Sequence, residues 1–211
     1  MRLRSRPPTL GRSQRVELRP FQRADLEQVQ GWEPYEEVLF QQYNMPRGTP
    51  RQNDAWFEHN IRRGERLYFT VTRLGDGAVI GLISLREVYR SPRRASARLG
   101  IVFGAAFAGQ GYGSEALPLF LTHLFGPLGF SLLKLDVAAF NGRALRLYEK
   151  CGFRRVGSFY RSAAGQRLAP EALEDDGEPP FFVHWHEATY VLHYEMELTE
   201  KAWRERSGER P

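Results

Sequence analysis

Three glycines at alternate positions, Gly109, Gly111 and Gly113, separate an apolar run ending at Phe103 from an apolar stretch beginning near Ala116. A backbone without Cβ atoms turns tightly there and lets a bulky ligand approach. Its N–H groups then converge with the N-terminus of the helix that follows, which makes a ready anion site. Such a loop needs a strand before it and a helix after it, so an α/β core is expected in the middle of the chain. No Gly-Lys-Ser/Thr follows, so this is not a Walker loop. A dinucleotide fold would place its glycines after the first strand, with an acid about twenty residues on. Here four strands are expected before the glycines.

The first of those strands is Val16–Phe21, which alternates apolar and polar residues. A helix is expected from Ala24, with Leu26, Val29 and Trp32 on one face. Thr49-Pro50 predicts a second helix start, running through Trp56, Phe57 and Ile61 to Gly64. Strands Leu67–Leu74 and Ala78–Val88 flank Gly75-Asp76-Gly77, a hairpin signal. An arginine-rich loop, Arg90–Arg94, leads to the strand Ser96–Phe103. Beyond the glycines come a helix over Gly113–Phe125, a strand over Leu132–Ala139, a helix over Asn141–Lys150 ending at Gly152, and a strand over Phe153–Tyr160. A surface insertion at about 162–187 precedes the last strand, where Tyr190, Leu192, Tyr194, Met196 and Leu198 alternate with polar neighbours. The class is α/β (α+β): a basic, disordered tail over 1–15, then a single domain over 16–211.

The chain has 211 residues, 42% hydrophobic and 26% charged, as an ordinary globular protein has. No stretch approaches the roughly twenty apolar residues of a membrane span, so no membrane partner is expected. The N-terminus has arginines but no apolar region like that of a secretory signal, and Cys151 is the only cysteine, so a cytoplasmic location is the default expectation. The net charge of +5 lies wholly in Arg2, Arg4, Arg6, Arg12 and Arg15. A solvated arm explains it better than an RNA- or membrane-binding one.

Ala108-Gly109-Gln110-Gly111-Tyr112-Gly113-Ser114 resembles the pyrophosphate motif of the GNAT superfamily of N-acetyltransferases, Gln/Arg-x-x-Gly-x-Gly/Ala. Ala108 stands where the pattern has Gln or Arg, and so lacks a polar side chain that orders the loop. Asn141-Gly-Arg-Ala144-Leu-Arg-Leu-Tyr148-Glu-Lys-Cys-Gly152-Phe153 is similar to a second family segment, Asn-x-x-Ala-x-x-x-Tyr-x-x-x-Gly-Phe. Within the superfamily the chain looks most like the ribosomal-protein alanine N-acetyltransferase group. The resemblance implies a mixed, mostly antiparallel sheet splayed between its fourth and fifth strands, with helices on both faces. It implies acetyl-CoA as co-substrate. Its pantetheine would lie along the backbone of Ile101, Val102 and Phe103, and its pyrophosphate on Gly109, Gln110, Gly111, Tyr112, Gly113 and Ser114. Asn141, Ala144 and Tyr148 would complete the cofactor site.

By the same resemblance Tyr148 protonates the leaving thiolate, which suits a phenol that is a donor at neutral pH. Asn141 is equally a helix N-cap. Asp136 stands where the ribosomal-protein group has a carboxylate, five residues before the asparagine; it could take the amine proton through water, or simply face solvent. Arg98 occupies another position where many members carry Glu, and Glu87 is a weaker candidate base. Arg143, Arg146 and Lys150 could meet the 3′-phosphate or form a solvated helix face. His184 and His186 would share one side of a strand, but no third ligand has metal spacing, so no metal is expected.

The reaction expected is direct acetyl transfer to a primary amine in a ternary complex, with no acyl-enzyme. The acceptor is a protein N-terminus or a small cationic amine. The acids Glu174, Asp175 and Asp176 of the insertion would favour a cation. A non-catalytic acyl-CoA-binding sensor is the alternative, nucleic acid is the weaker partner, and a homodimer is compatible with the sequence.

Overall fold

A computed structural model describes residues 8–62, 66–92, 94–169 and 180–208. The acids Glu174, Asp175 and Asp176 lie outside the described residues. The chain divides into two compact units, Met1–Phe130 and Ser131–Pro211.

The first unit is an antiparallel meander. Strands β1 (Gly11–Arg12), β2 (Val16–Pro20), β3 (Leu67–Arg73), β4 (Val79–Ser91) and β5 (Arg94–Phe103) pair in chain order. Helix α1 (Asp25–Gln30) buries Leu26 and Val29, as the periodicity expects, but ends at Gly31, before Trp32. Helix α2 (Pro50–Phe57) starts at a capping box. The Thr49 hydroxyl accepts from Gln52 N, and Thr49 N donates to the Gln52 carboxamide at 2.8 Å. Helix α3 (Tyr112–Phe125) buries Leu117, Phe120, Leu121 and Leu124 completely. Each such side chain contributes about 1.5–3 kcal/mol by leaving water. Phe21, Leu26, Val29, Val79 and Leu82 form a further cluster, against which Trp32, Trp56 and Tyr68 pack.

The first unit departs from expectation in three places. Residues 8–15, expected within a disordered tail, include β1, because Arg12 pairs with Glu17 at 3.1 Å and Arg15 pairs with Glu115 at 2.5 Å. Composition shows the positive charges and not the carboxylates that meet them. The α-helix expected to reach Gly64 stops at Phe57 and gives way to a π-type turn over Glu58–Arg62. The expected loop at Arg90–Arg94 is the end of a longer ribbon, with β4 and β5 still paired at Ser91 and Arg94. A register shift between Arg86 and Tyr89, with Glu87 at φ +51°, breaks the alternation that would have revealed it.

The second unit is built around one strand. It comprises β6 (Leu132–Ala138), α4 (Gly142–Cys151), β7 (Arg154–Ser162), β8 (Arg167–Leu168), β9 (Phe182–Trp185), β10 (Ala188–Thr199) and α5 (Glu200–Ser207). β10 pairs with β7 along one edge over Tyr190–Glu197. Its other edge pairs with β9 over Ala188–Val191 and with β6 over His193–Thr199. All three pairings are antiparallel. β8 and β9 fall within the stretch expected as a surface insertion. Helix α5, not expected from the sequence, starts at Thr199, whose hydroxyl accepts from Ala202 N at 3.2 Å, and it buries Trp203.

Candidate active site

In the first unit, Ile101, Val102 and Phe103 are half-buried at the end of β5, opposite Ile83, Leu82 and Gly81. The Phe103 ring covers Gly81 so closely that a Cβ there would stand 2.6 Å from a ring carbon. Gly104 N donates to Ile80 O at 3.1 Å, and one 3-10 turn over Ala105–Phe107 leads to Ala108. Gly109 and Gly111 hold φ of +78° and +85°, a conformation that costs a side-chain-bearing residue about 1–2 kcal/mol. Gly111 is the N-cap of α3, so the peptide N–H groups beginning at Tyr112 open the helix. Gln110, Tyr112, Gly113 and Ser114 therefore lie where the sequence places an anion site: on a loop that ends in a 14-residue helix.

The loop is braced from outside its own segment. Glu115, in the first turn of α3, accepts from the Ser13 hydroxyl at 2.6 Å, from Arg15 N at 2.9 Å and from Arg15 Nε at 2.5 Å. Burial pushes the Glu115 carboxyl up, but these hydrogen bonds outweigh it and hold the group below the ordinary carboxylate range. The Arg15 guanidinium also donates to Gln110 O at 3.2 Å and lies 4.7 Å over the Tyr112 ring.

A pocket of about 250 Å³ opens beside the end of β5, lined by Trp32, Glu33, Tyr35, Tyr43, Arg47 and Phe103 among others. Its walls are fixed by hydrogen bonds: Trp32 Nε1 donates to Val79 O at 2.8 Å, and the Tyr35 hydroxyl donates to Phe103 O at 2.9 Å. Glu33 and Arg47 are exposed at its rim. Sequence reasoning missed this pocket, because its aromatic residues sit in a segment without clear periodicity.

In the second unit, Asn141 caps α4, its side-chain oxygen accepting from Ala144 N at 3.2 Å. Tyr148 lies two turns on, buried, with its ring edge-on to Phe153 at 5.6 Å. The Asp136 side chain is only 2% exposed on β6 and does not simply face solvent. Its carboxylate meets Arg161 at 2.6 Å and Arg167 at 3.5 Å. Both guanidinium groups lie over the Phe159 ring, at 4.9 and 3.8 Å, and the His193 ring stacks on the same phenyl at 5.5 Å. Burial and the charge of Arg161 push His193 down, against the Val191 carbonyl and Asp136, so the imidazole is neutral at pH 7. A carbonyl can only accept. The 3.0 Å contact between His193 Nδ1 and Val191 O therefore places the proton on Nδ1 and leaves Nε2 as the basic nitrogen. Alternation had placed His193 on the polar face of the last strand, without a role.

Glu87 pairs with Arg98 at 2.9 Å. Arg143, Arg146 and Lys150 are exposed on α4. Burial pushes the Cys151 thiol up to about 11, which keeps it protonated and suits packing. His184 and His186 do not share a strand face. His186 and Glu187 are the two positive-φ residues of the β9–β10 turn, at +43° and +62°, because two-residue hairpin turns take that geometry. Among the described residues no group of three His, Cys, Asp or Glu could hold a metal ion. No helix among them is long and apolar enough to cross a membrane.

The glycine-rich loop opens α3 in the first unit, and the capped helix with the buried Tyr148 belongs to the second. The chain belongs to the acetyltransferase (GNAT) domain family, which matches residues 15–154. It is an acetyl-CoA-dependent N-acetyltransferase of mixed α/β fold with an open, mostly antiparallel sheet. It is 24% identical over 149 residues to the probable N-acetyltransferase YjcK of Bacillus subtilis, covering 67% of this chain and 82% of that one. It is 28% identical over 143 residues to the spermidine N(1)-acetyltransferase of Escherichia coli K12, covering 67% of this chain and 74% of that one. The crystal structure of a Vibrio cholerae spermidine N-acetyltransferase with CoA and spermine has the same fold, with a TM-score of 0.65 at 19% identity, over 90% of this chain and 99% of that one. These relatives support the family and do not specifically support its ribosomal-protein group.

Proposed function

We propose that this enzyme transfers the acetyl group of acetyl-CoA to the primary amine of a small cationic molecule. The observation that carries the acceptor class is the pocket at the end of β5. Trp32, Tyr35, Tyr43 and Phe103 line it with aromatic rings, which recognise an ammonium group, and Glu33 and Arg47 stand at its rim. At about 250 Å³ the pocket takes one end of a small amine. That is below the roughly 300–1,000 Å³ of sites for drug-sized ligands. The spermidine acetyltransferases among the relatives support the same class, whereas nothing in their names supports a protein N-terminus.

The loop from Gly109 to Ser114 holds the pyrophosphate through its backbone N–H groups, and the strand Ile101, Val102 and Phe103 binds the pantetheine arm through backbone groups at its edge. The amine nitrogen attacks the thioester carbon and the carbon–sulfur bond breaks. Tyr148 gives its phenolic proton to the departing thiolate. The proton lost by the amine is taken on the face that carries Asp136 and His193. Asp136, engaged by Arg161 and Arg167, acts through water, and neutral His193 can accept a proton at Nε2.

Release of free thiol from acetyl-CoA, followed against spermidine, simple monoamines and a peptide N-terminus, tests the proposal. Turnover with the small cationic amines, and a higher amine KM in Glu33→Gln, is the expected result. Turnover only with the peptide would overturn the acceptor class. Binding of acetyl-CoA without turnover of any amine would overturn the catalytic reading.

A further inference from the structure

We infer that Arg15 is a positioning residue that holds the pyrophosphate loop in its binding shape. The inference rests on the reading of Gly109–Ser114 as the site of the CoA pyrophosphate. Three glycines in five residues make that segment costly to order, because glycine loses more backbone freedom on fixing than any other residue. Within the loop Gln110 supplies one side-chain tie, its carboxamide donating to Ala106 O at 2.5 Å, and Tyr112 another, its hydroxyl meeting Arg73. Ala108, at the loop's start, has no polar side chain. Arg15 reaches the same loop from a point far away in sequence and holds it at two places. Its Nη1 donates to the Gln110 carbonyl at 3.2 Å and its plane covers Tyr112 at 4.7 Å; a side chain on Gly111 would crowd its Nη2.

The grip is itself fixed. Glu115 binds Arg15 Nε at 2.5 Å, Arg15 N at 2.9 Å and the Ser13 hydroxyl at 2.6 Å, so the arm and the first turn of α3 are tied together. Arg15 also cancels the Glu115 charge beside a site that must accept an anion. The arginine of the basic arm and the departure at Ala108 thus belong together: a guanidinium from outside the motif does the ordering that the loop's own first side chain cannot.

Steady-state kinetics of Arg15→Ala with two acetyl donors tests this. One donor is acetyl-CoA. The other is S-acetylpantetheine, which has the thioester arm and no pyrophosphate. With acetyl-CoA, KM is expected to rise roughly ten-fold, as for loss of a hydrogen bond involving a charged group, with kcat and the amine KM at wild-type values. With S-acetylpantetheine the variant and wild type should match. Ala108→Gln in the Arg15→Ala background should restore part of the acetyl-CoA affinity. Arg15→Lys keeps the charge and loses the fork; it guards against misfolding and should show a smaller rise. Equal losses with both donors would overturn the inference, since damage would then not be confined to the loop. An acetyl-CoA KM unchanged in Arg15→Ala, when the wild type prefers acetyl-CoA, would overturn it while leaving the loop's assignment intact. A wild type that uses both donors equally well would overturn both.

Discussion

Asp136 and Arg161 form an ion pair that arches over the central strand of the second unit. Their charged atoms are 2.6 Å apart, although Asp136 stands opposite Glu195 and Arg161 opposite Val191 on β10. His193 lies between those two positions on the same face. The pair therefore bridges β6 and β7 across the imidazole, and the carboxylate that the sequence offers as a base is part of a structural clasp.

The clasp makes stability depend on pH through His193. Burial, the largest cause, and Arg161 lower its folded pKa below the unfolded value near 6.5. His193 therefore contributes its full stability above pH ~6.5 and loses it as pH falls toward the folded value, because only the unfolded chain gains the proton in that window. Thermal melts should show a falling melting temperature on acidification through this range. His193→Gln should flatten that slope; an unaltered slope would show that the imidazole is not the group responsible.

Removing one end of the clasp should be costly. Asp136→Ala leaves the partly exposed Arg161 without its buried partner, and losses of about 1.5–3 kcal/mol are usual for a hydrogen bond between charged groups. Urea titration measures this directly, and a loss no larger than that of an exposed pair would mean that the pair is solvated.

Tyr148→Phe keeps the ring against Phe153 and deletes only the hydroxyl. The variant should melt close to wild type while kcat falls by about 10²–10⁴, the usual worth of a placed general acid. An unchanged kcat would show that another group protonates the thiolate.

The β9–β10 turn carries a removable cost. His186 and Glu187 both hold positive φ, which favours Asn-Gly. Replacing the pair by Asn-Gly should stabilise the protein by about 1–2 kcal/mol, read as a higher urea midpoint. No gain would mean that the turn's own side chains compensate the strain.

The parts of the fold that sequence reveals are those set by neighbours in the chain. The capping box at Thr49, the caps of α4 at Asn141 and Gly152, and the alternation of β10 each depend on residues a few positions apart. The same holds for the loop at Gly109–Ser114 and for the spacing of Asn141 and Tyr148. Contacts between distant residues leave no such trace. Arg15 and Glu115 are 100 positions apart and Asp136 and Arg161 are 25 apart. Nothing local marks either pair, so the arm read as free and Asp136 as a lone acid. The pocket at β5 was hidden for the same reason: Trp32, Tyr35 and Tyr43 meet Phe103 only after the chain has crossed the meander. The β9–β10 turn was missed because His and Glu stand where Asn and Gly would have announced it.

Because β10 holds β7 on one edge and both β6 and β9 on the other, the second unit has a single seam-bearer. A backbone nick within Ala188–Thr199 would cut both seams at once. A nick in the turn at Ala163–Gly165 would spare them, since β7 would still pair with β10 along its length. Two separately made fragments divided at that turn could therefore find each other again, and the enzyme is one that could be split there and reassembled.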